Sequence, residues 1–151
     1  MQRSWMLEDE AAQLAFGARL ARALTQPLCI YLTGPLGAGK TTLVRGLLRA
    51  LGHTGTVRSP TYTLLETYAV AGHEVCHFDL YRLTCAEELE HIGARELFDG
   101  RHLCLVEWPE HGAGWLPAPD LELALQMAGS GRRLHAHAHG PAGERTLEAL
   151  T

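Results

Sequence analysis

Gly34-Pro35-Leu36-Gly37-Ala38-Gly39-Lys40-Thr41 has the spacing G-x-x-x-x-G-K-[ST], and each fixed position in it suits a phosphate. Glycines let successive backbone N–H groups curl around an anion, and a helix opening there adds its dipole. At such a loop Lys40 reaches the β- and γ-phosphates, the Thr41 hydroxyl fills one Mg²⁺ position, and Thr42 lies beside the α-phosphate. Nucleotide binding is therefore expected from Gly37, Ala38, Gly39, Lys40, Thr41 and Thr42. Lys40 is also the only lysine in the chain.

A Mg²⁺ ion takes hard oxygen ligands, usually including one or two carboxylates. None lies near the loop in sequence, because Ala11 to Leu65 contains no Asp or Glu. Two later apolar runs end in an acid, Val75-Cys-His-Phe-Asp79 and Leu103-Cys-Leu-Val-Glu107. Each would sit at the carboxyl end of a strand, where open α/β sheets bind ligands. Asp79 and Glu107 are thus the expected metal and catalytic acids, one holding Mg²⁺ and the other orienting the attacking water; the spacing leaves open which does which. Ser59-Pro60-Thr61 is by itself an ordinary turn before a strand, but beside a phosphate loop Ser59 and Thr61 become candidates for sensing the γ-phosphate.

These residues need a frame. Leu7–Leu24 carries apolar residues near helical spacing, Leu28–Leu32 reads as a short buried strand, and an amphipathic helix follows from Lys40 to Leu51, stopped by Gly52. Tyr62–Val70 and Glu74–Leu80 form a hairpin around Ala71-Gly72-His73. Ala86–His91 opens a helix broken at Gly93, Leu103–Glu107 is a second buried strand, and Trp108–Pro119 is a loop. Leu121–Met127 and Leu134–His139 are two last strands joined by a turn at Gly129-Ser-Gly131. Strand–loop–helix early and hairpins later predict an α/β sheet, parallel in its centre and antiparallel at its edges.

Composition narrows the class. The 151 residues suit one domain, residues 1–151, with about 12 final residues expected as a loosely ordered tail. A net charge of −4 excludes binding nucleic acid by bulk positive charge. The charge is uneven: Ala11–Leu65 carries +6 and the rest −10, an anion-binding half followed by an acidic one. The longest uncharged stretch, Ala23–Gly39, contains Pro27, Pro35 and three glycines, too broken to span a bilayer. Glu8, Asp9 and Glu10 stand where a signal peptide would be apolar. Four cysteines without a Cys-x-x-Cys pair suit a reducing cytoplasm.

Together, GPLGAGKTTLVRGLLRALG, VRSPTYTLLETY, HFDLYRL, EELEHIG, LVEWPEHG and LPAPDLEL resemble the bacterial tRNA threonylcarbamoyladenosine biosynthesis family TsaE, the YjeE-type ATPases. The resemblance covers Gly34 to Leu123. It implies a small three-layer P-loop fold, slow intrinsic ATP hydrolysis with Mg²⁺, and work alongside a TsaB–TsaD pair that modifies the adenosine beside the anticodon of ANN-decoding tRNAs. The tRNA would be met through that complex. By the same resemblance Lys40 and Thr41 match the phosphate and Mg²⁺ positions, Thr61 the SPT segment, Asp79 the acid of HFDLYRL, and Glu107 with Trp108 the EW pair, Trp108 lying in a switch-like segment. One departure is visible: many members have an acid after the first loop glycine, where this chain has Pro35. That bears on hydrolysis rate rather than on binding.

Other features carry less. Arg132 follows a glycine turn and is expected to approach the nucleotide, and Glu10, opening the first helix, is assigned to the adenine. His135, His137 and His139 alternate along one strand face and could chelate a metal; with no acid or cysteine nearby in sequence, a polar edge strand is the better reading. The competing functions are a small P-loop kinase for a metabolite or nucleotide, which would need an arginine-bearing lid, and a binding-only switch.

Overall fold

The structure is a computed structural model and describes residues 1–150. Seven strands form one sheet in the order β1-β7-β6-β2-β5-β4-β3: β1 (Gln2–Leu7), β2 (Cys29–Thr33), β3 (Leu65–Val70), β4 (His73–Asp79), β5 (Leu103–Glu107), β6 (Leu121–Ala128) and β7 (Gly131–Ala138). The central pairs β6·β2, β2·β5 and β5·β4 are parallel. The outer pairs β1·β7, β6·β7 and β3·β4 are antiparallel. This is the mixed sheet expected from the sequence. Its register puts Leu32, Glu107 and Asp79 in one row, so the two acids emerge side by side from neighbouring parallel strands.

One face is covered by α1 (Glu10–Ala23), α2 (Lys40–Leu51) and α4 (Pro141–Ala149), which bury Phe16, Leu20, Leu43, Leu47 and Leu147 against Ile30, Leu105, Leu123 and Leu134. Full burial of such side chains stabilises by about 1.5–3 kcal/mol each. The third layer is thinner. A single turn of helix, α3 (Glu87–His91), and a 3₁₀ turn at Ala94–Leu97 close a second core of Phe78, Leu80, Leu89 and Val106, with Phe98 and Trp115 packed on it. That core covers only the β5-β4 side, so on the same face of β6 and β7 residues Glu122, Gln126, Arg133, His135 and His137 stay half-buried or exposed.

The local signals explain the helix ends. Asp9 caps α1 by accepting from the Ala12 N–H at 2.8 Å. Gly52, left-handed at φ 116, ends α2, and the His53 N–H returns to the Leu48 carbonyl at 3.0 Å. Between the helices, glycine permits a close approach: a Cβ on Gly46 would stand 2.2 Å from the Leu14 carbonyl oxygen, and one on Gly17 2.2 Å from that of Leu43. Neither neighbour is a side chain that can swing away. Gly46→Ala must therefore part the two helices although alanine is the better helix former. Overpacking of this kind costs about 2–3 kcal/mol, and we expect Tm to fall by roughly 5–10 °C. A thermal melt within about 2 °C of the parent would show that the helix pair does not depend on this contact.

Four expectations need correction. Strand β1 was not foreseen; it is polar and pairs on one side only, so it lacks an apolar run. It makes β1, and not the histidine-bearing β7, the sheet edge. Strand β3 starts at Leu65 rather than Tyr62, because the Leu64 N–H closes a turn onto the Pro60 carbonyl at 2.8 Å and Leu64 itself takes φ 68. Lastly, the expected loose tail is helix α4, held by buried Leu147 and Leu150 and by Arg3, whose guanidinium donates to the Leu147 and Leu150 carbonyls at 3.1 and 2.7 Å. Thr151, the last residue of that tail, lies outside the described residues.

Candidate nucleotide site

The loop between β2 and α2 curls through two left-handed glycines, Gly37 at φ 78 and Gly39 at φ 103. Gly39 has a second constraint: a Cβ there would meet Gln13 Oε1 at 2.1 Å. Helix α2 begins at Lys40 with no side chain capping it, so its first N–H groups and its positive dipole end are free for an anion. In front of them lies a cleft of about 270 Å³. Gly37, Ala38, Gly39, Lys40, Thr41 and Thr42 all line it, as do Ser59, Thr61, Asp79, Glu107 and Trp108. Residues far apart in sequence thus converge on one cavity.

Lys40 is only 4% exposed. Its ammonium donates to the Gly34 carbonyl and lies 3.8 Å from the centroid of the Trp108 ring. Burial lowers its pKa, opposed by the charges of Glu107 and Asp79. Glu107 is gripped from two sides on Oε2: the Thr41 hydroxyl donates at 3.0 Å and His77 Nε2 stands at 2.6 Å. An ionised carboxylate only accepts, so His77 must carry its proton on Nε2. That leaves His77 Nδ1 buried and without a partner. Asp79 accepts from the Tyr81 N–H at 3.0 Å. Burial pushes its carboxyl upward; the Tyr81 N–H pulls the other way, and neighbouring Glu107 adds to the rise.

The donor set fits a hard divalent ion. A hydroxyl and a carboxylate already face each other across 3.0 Å, with a second carboxylate beside them, and Mg²⁺ takes oxygen ligands of these kinds. Ser59 and Thr61 share a hydroxyl–hydroxyl bond of 2.7 Å, and their loop is tied down by the Arg58 N–H donating to the Tyr68 hydroxyl at 3.1 Å. Trp108 leaves β5 in a left-handed conformation, φ 58, which costs a bulky residue of order 1–3 kcal/mol. This turn swings the indole over Lys40 and against His111, at 5.6 Å between ring centroids.

Two expected residues do not line the cleft. Glu10 lies at the start of α1 and pairs with Arg45 at 3.5 Å. Arg132 lies within β7, not in the turn, and its guanidinium donates to the Gly37 and Ala38 carbonyls, both at 3.1 Å. It therefore braces the loop from behind rather than facing the cleft. His77 and Gln13 were missed. His77 could have been found from strand parity, since two residues before Asp79 on a strand is the same face. Gln13 has no such signal, as it meets Gly39 only through the packing of α1.

Known proteins agree with this geometry. The family model described as "Threonylcarbamoyl adenosine biosynthesis protein TsaE" matches residues 7–134. The tRNA threonylcarbamoyladenosine biosynthesis protein TsaE of Haemophilus influenzae is 42% identical over 96% of this chain and 95% of its own length. The Bacillus subtilis protein of the same name is 38% identical over 77% and 73%. The crystal structure of Bacillus subtilis YdiB superposes with a TM-score of 0.83 at 31% identity, covering 99% of this chain and 94% of that one. With its phosphate loop and paired strand-end acids, the chain belongs to the TsaE family.

Proposed function

We propose that the protein is a Mg²⁺-dependent ATPase serving threonylcarbamoyladenosine biosynthesis on tRNA. The observation that supports this best is the row of Asp79 and Glu107 beside Lys40 and Thr41. Lys40 and the α2 N-terminus hold the β- and γ-phosphates of ATP. Thr41 and Glu107, joined by their hydrogen bond, hold the metal; Asp79, whose raised pKa makes it the stronger base of an acid pair, orients the attacking water. When bound, Mg²⁺ neutralises charge on the β- and γ-phosphate oxygens. Water attacks the γ-phosphorus in line, the bond to the β–γ bridging oxygen breaks, and ADP and phosphate leave. Pro35 in the loop is consistent with a slow intrinsic rate.

The partners follow from family membership: a TsaB–TsaD pair performs the transfer, and tRNA is met through it in the cytoplasm. No helix among the described residues is long and apolar enough to cross a membrane. A kinase needs arginines over the transferred phosphate, whereas no arginine lines the cleft among the described residues; this favours the ATPase. ATP turnover measured with and without the TsaB–TsaD pair and tRNA tests the reading. Stimulation by the complete set is expected. Phosphorylation of an added metabolite or nucleotide, with no response to the complex, would overturn it.

Trp108 is the natural reporter of that coupling. Phosphates reaching Lys40 must compete with the indole, and a cation–π contact worth about 0.5–2 kcal/mol loses to charge-assisted bonds of about 1.5–3 kcal/mol each. With Trp5 and Trp115 changed to Phe, Trp108 fluorescence should therefore shift when Mg-ATP is added. Trp108→Ala should keep ATP affinity within about threefold, since only that weaker contact is lost, yet forfeit partner-stimulated turnover. A silent signal together with normal stimulation would make Trp108 a fixed packing residue.

A further inference from the structure

We propose that Glu122, His137 and His139 form a binding site for a first-row transition ion of the Zn²⁺ class, separate from the nucleotide cleft. Strand register brings the group together: Glu122 of β6 lies directly opposite His137 of β7, and His139 follows two residues later, just past the end of β7. His139 Nε2 stands 3.0 Å from Glu122 Oε2. The rings of His137 and His139 lie 4.2 Å apart, centroid to centroid. One ligand atom from each of the three residues falls within 4.8 Å of the other two.

That spacing suits a metal. Bonds of about 2.1 Å in a tetrahedron put ligand atoms about 3.4 Å apart. The His139–Glu122 pair needs only to open slightly, and the remaining separations to close by side-chain rotation on a paired backbone. Two imidazoles and a carboxylate are the ligands zinc accepts, whereas Mg²⁺ prefers oxygen alone. Leu121, Leu123 and Leu125 alternate with Glu122 and face the core under α1 and α2, so Glu122 points to the opposite side of the sheet from the phosphate-loop helix. His135 is excluded by its own partners: Nδ1 is 2.8 Å from the Ser4 hydroxyl and Nε2 is 3.0 Å from Gln2 Oε1. The acid that the linear sequence did not place near the histidines is supplied by the neighbouring strand. Three protein ligands leave a fourth position facing solvent, where His139 is exposed. The ion would tie β6 to the chain leaving β7, on the half of the sheet that has no covering layer.

Full-length protein, stripped with a chelator and held in excess Mg²⁺ without nucleotide, is titrated calorimetrically with Zn²⁺ and melted with and without it. One saturable equivalent is expected. At a free concentration 100 times the Kd, Tm should rise by roughly 5–10 °C. Glu122→Gln should weaken binding at least ~10-fold and His137→Ala/His139→Ala should abolish it, while His135→Ala keeps the parent affinity. With Co²⁺ in place of Zn²⁺, the absence of a thiolate charge-transfer band excludes exposed Cys85. Absence of saturable Zn²⁺ binding would overturn the proposal, as would undiminished affinity in the double variant or an equal loss in His135→Ala.

Discussion

Lys40→Ala should lower ATP affinity at least ~100-fold while leaving the protein folded. The loss is that large because a charge-assisted bond to phosphate is worth about 1.5–3 kcal/mol and Lys40 can make more than one. The chain has no other lysine, and Arg132, the arginine bonded to the phosphate loop, spends its guanidinium on the Gly37 and Ala38 carbonyls. Nothing else is positioned to substitute. Folding should survive, because the ammonium's partners are a carbonyl on the loop and the face of an indole. Equilibrium binding of a fluorescent ATP analogue, with a thermal melt as the control, gives the measurement. Unchanged affinity in a folded variant would remove the phosphate loop from the site.

The same contrast explains what could be read in the chain alone. The phosphate loop is legible because its chemistry is local: eight consecutive residues set the turn, the helix start and the ammonium. Asp79 and Glu107 are legible because an apolar run ending in an acid marks the end of a buried strand. The pairing of Glu107 with His77 is not, since it needs both the parity of β4 and the parallel register of β4 on β5. Arg132 shows the limit from the other side. Its sequence position suggested reach toward the nucleotide, but β7 begins at Gly131, and the side chain that leaves there meets the back of the loop. Strand β1 was hidden for a different reason: a polar edge strand carries no periodic apolar signal, and only pairing with β7 reveals it. Glu122 beside His137 was hidden by the same cross-strand pairing, which a linear scan for metal ligands does not follow.

Asp79 and Glu107 should separate when each charge is removed without changing shape. Asp79 makes one hydrogen bond, from the Tyr81 N–H, and its raised pKa suits a group that takes hydrogen bonds from water. Asp79→Asn should leave Mg²⁺-dependent ATP affinity close to the parent's and slow hydrolysis by about 10²–10⁴, the usual worth of a positioned base. Glu107 differs because its Oε2 is shared by Thr41 and His77. Glu107→Gln keeps an acceptor for those donors but loses the negative charge that would balance a divalent ion, so both the Mg²⁺ enhancement of ATP affinity and turnover should fall. Thr41→Ala should mimic the binding half of that loss, since it removes the hydroxyl on the same side of the ion. Comparing ATP affinity with Mg²⁺ and with a chelator, alongside single-turnover hydrolysis, distinguishes the roles. If Asp79→Asn lost the Mg²⁺ enhancement and Glu107→Gln kept it, the two acids would exchange roles. If both variants hydrolysed ATP at the parent rate, the paired strand ends would hold no chemistry, and the bond from Thr41 to Glu107 would be only a link between loop and sheet.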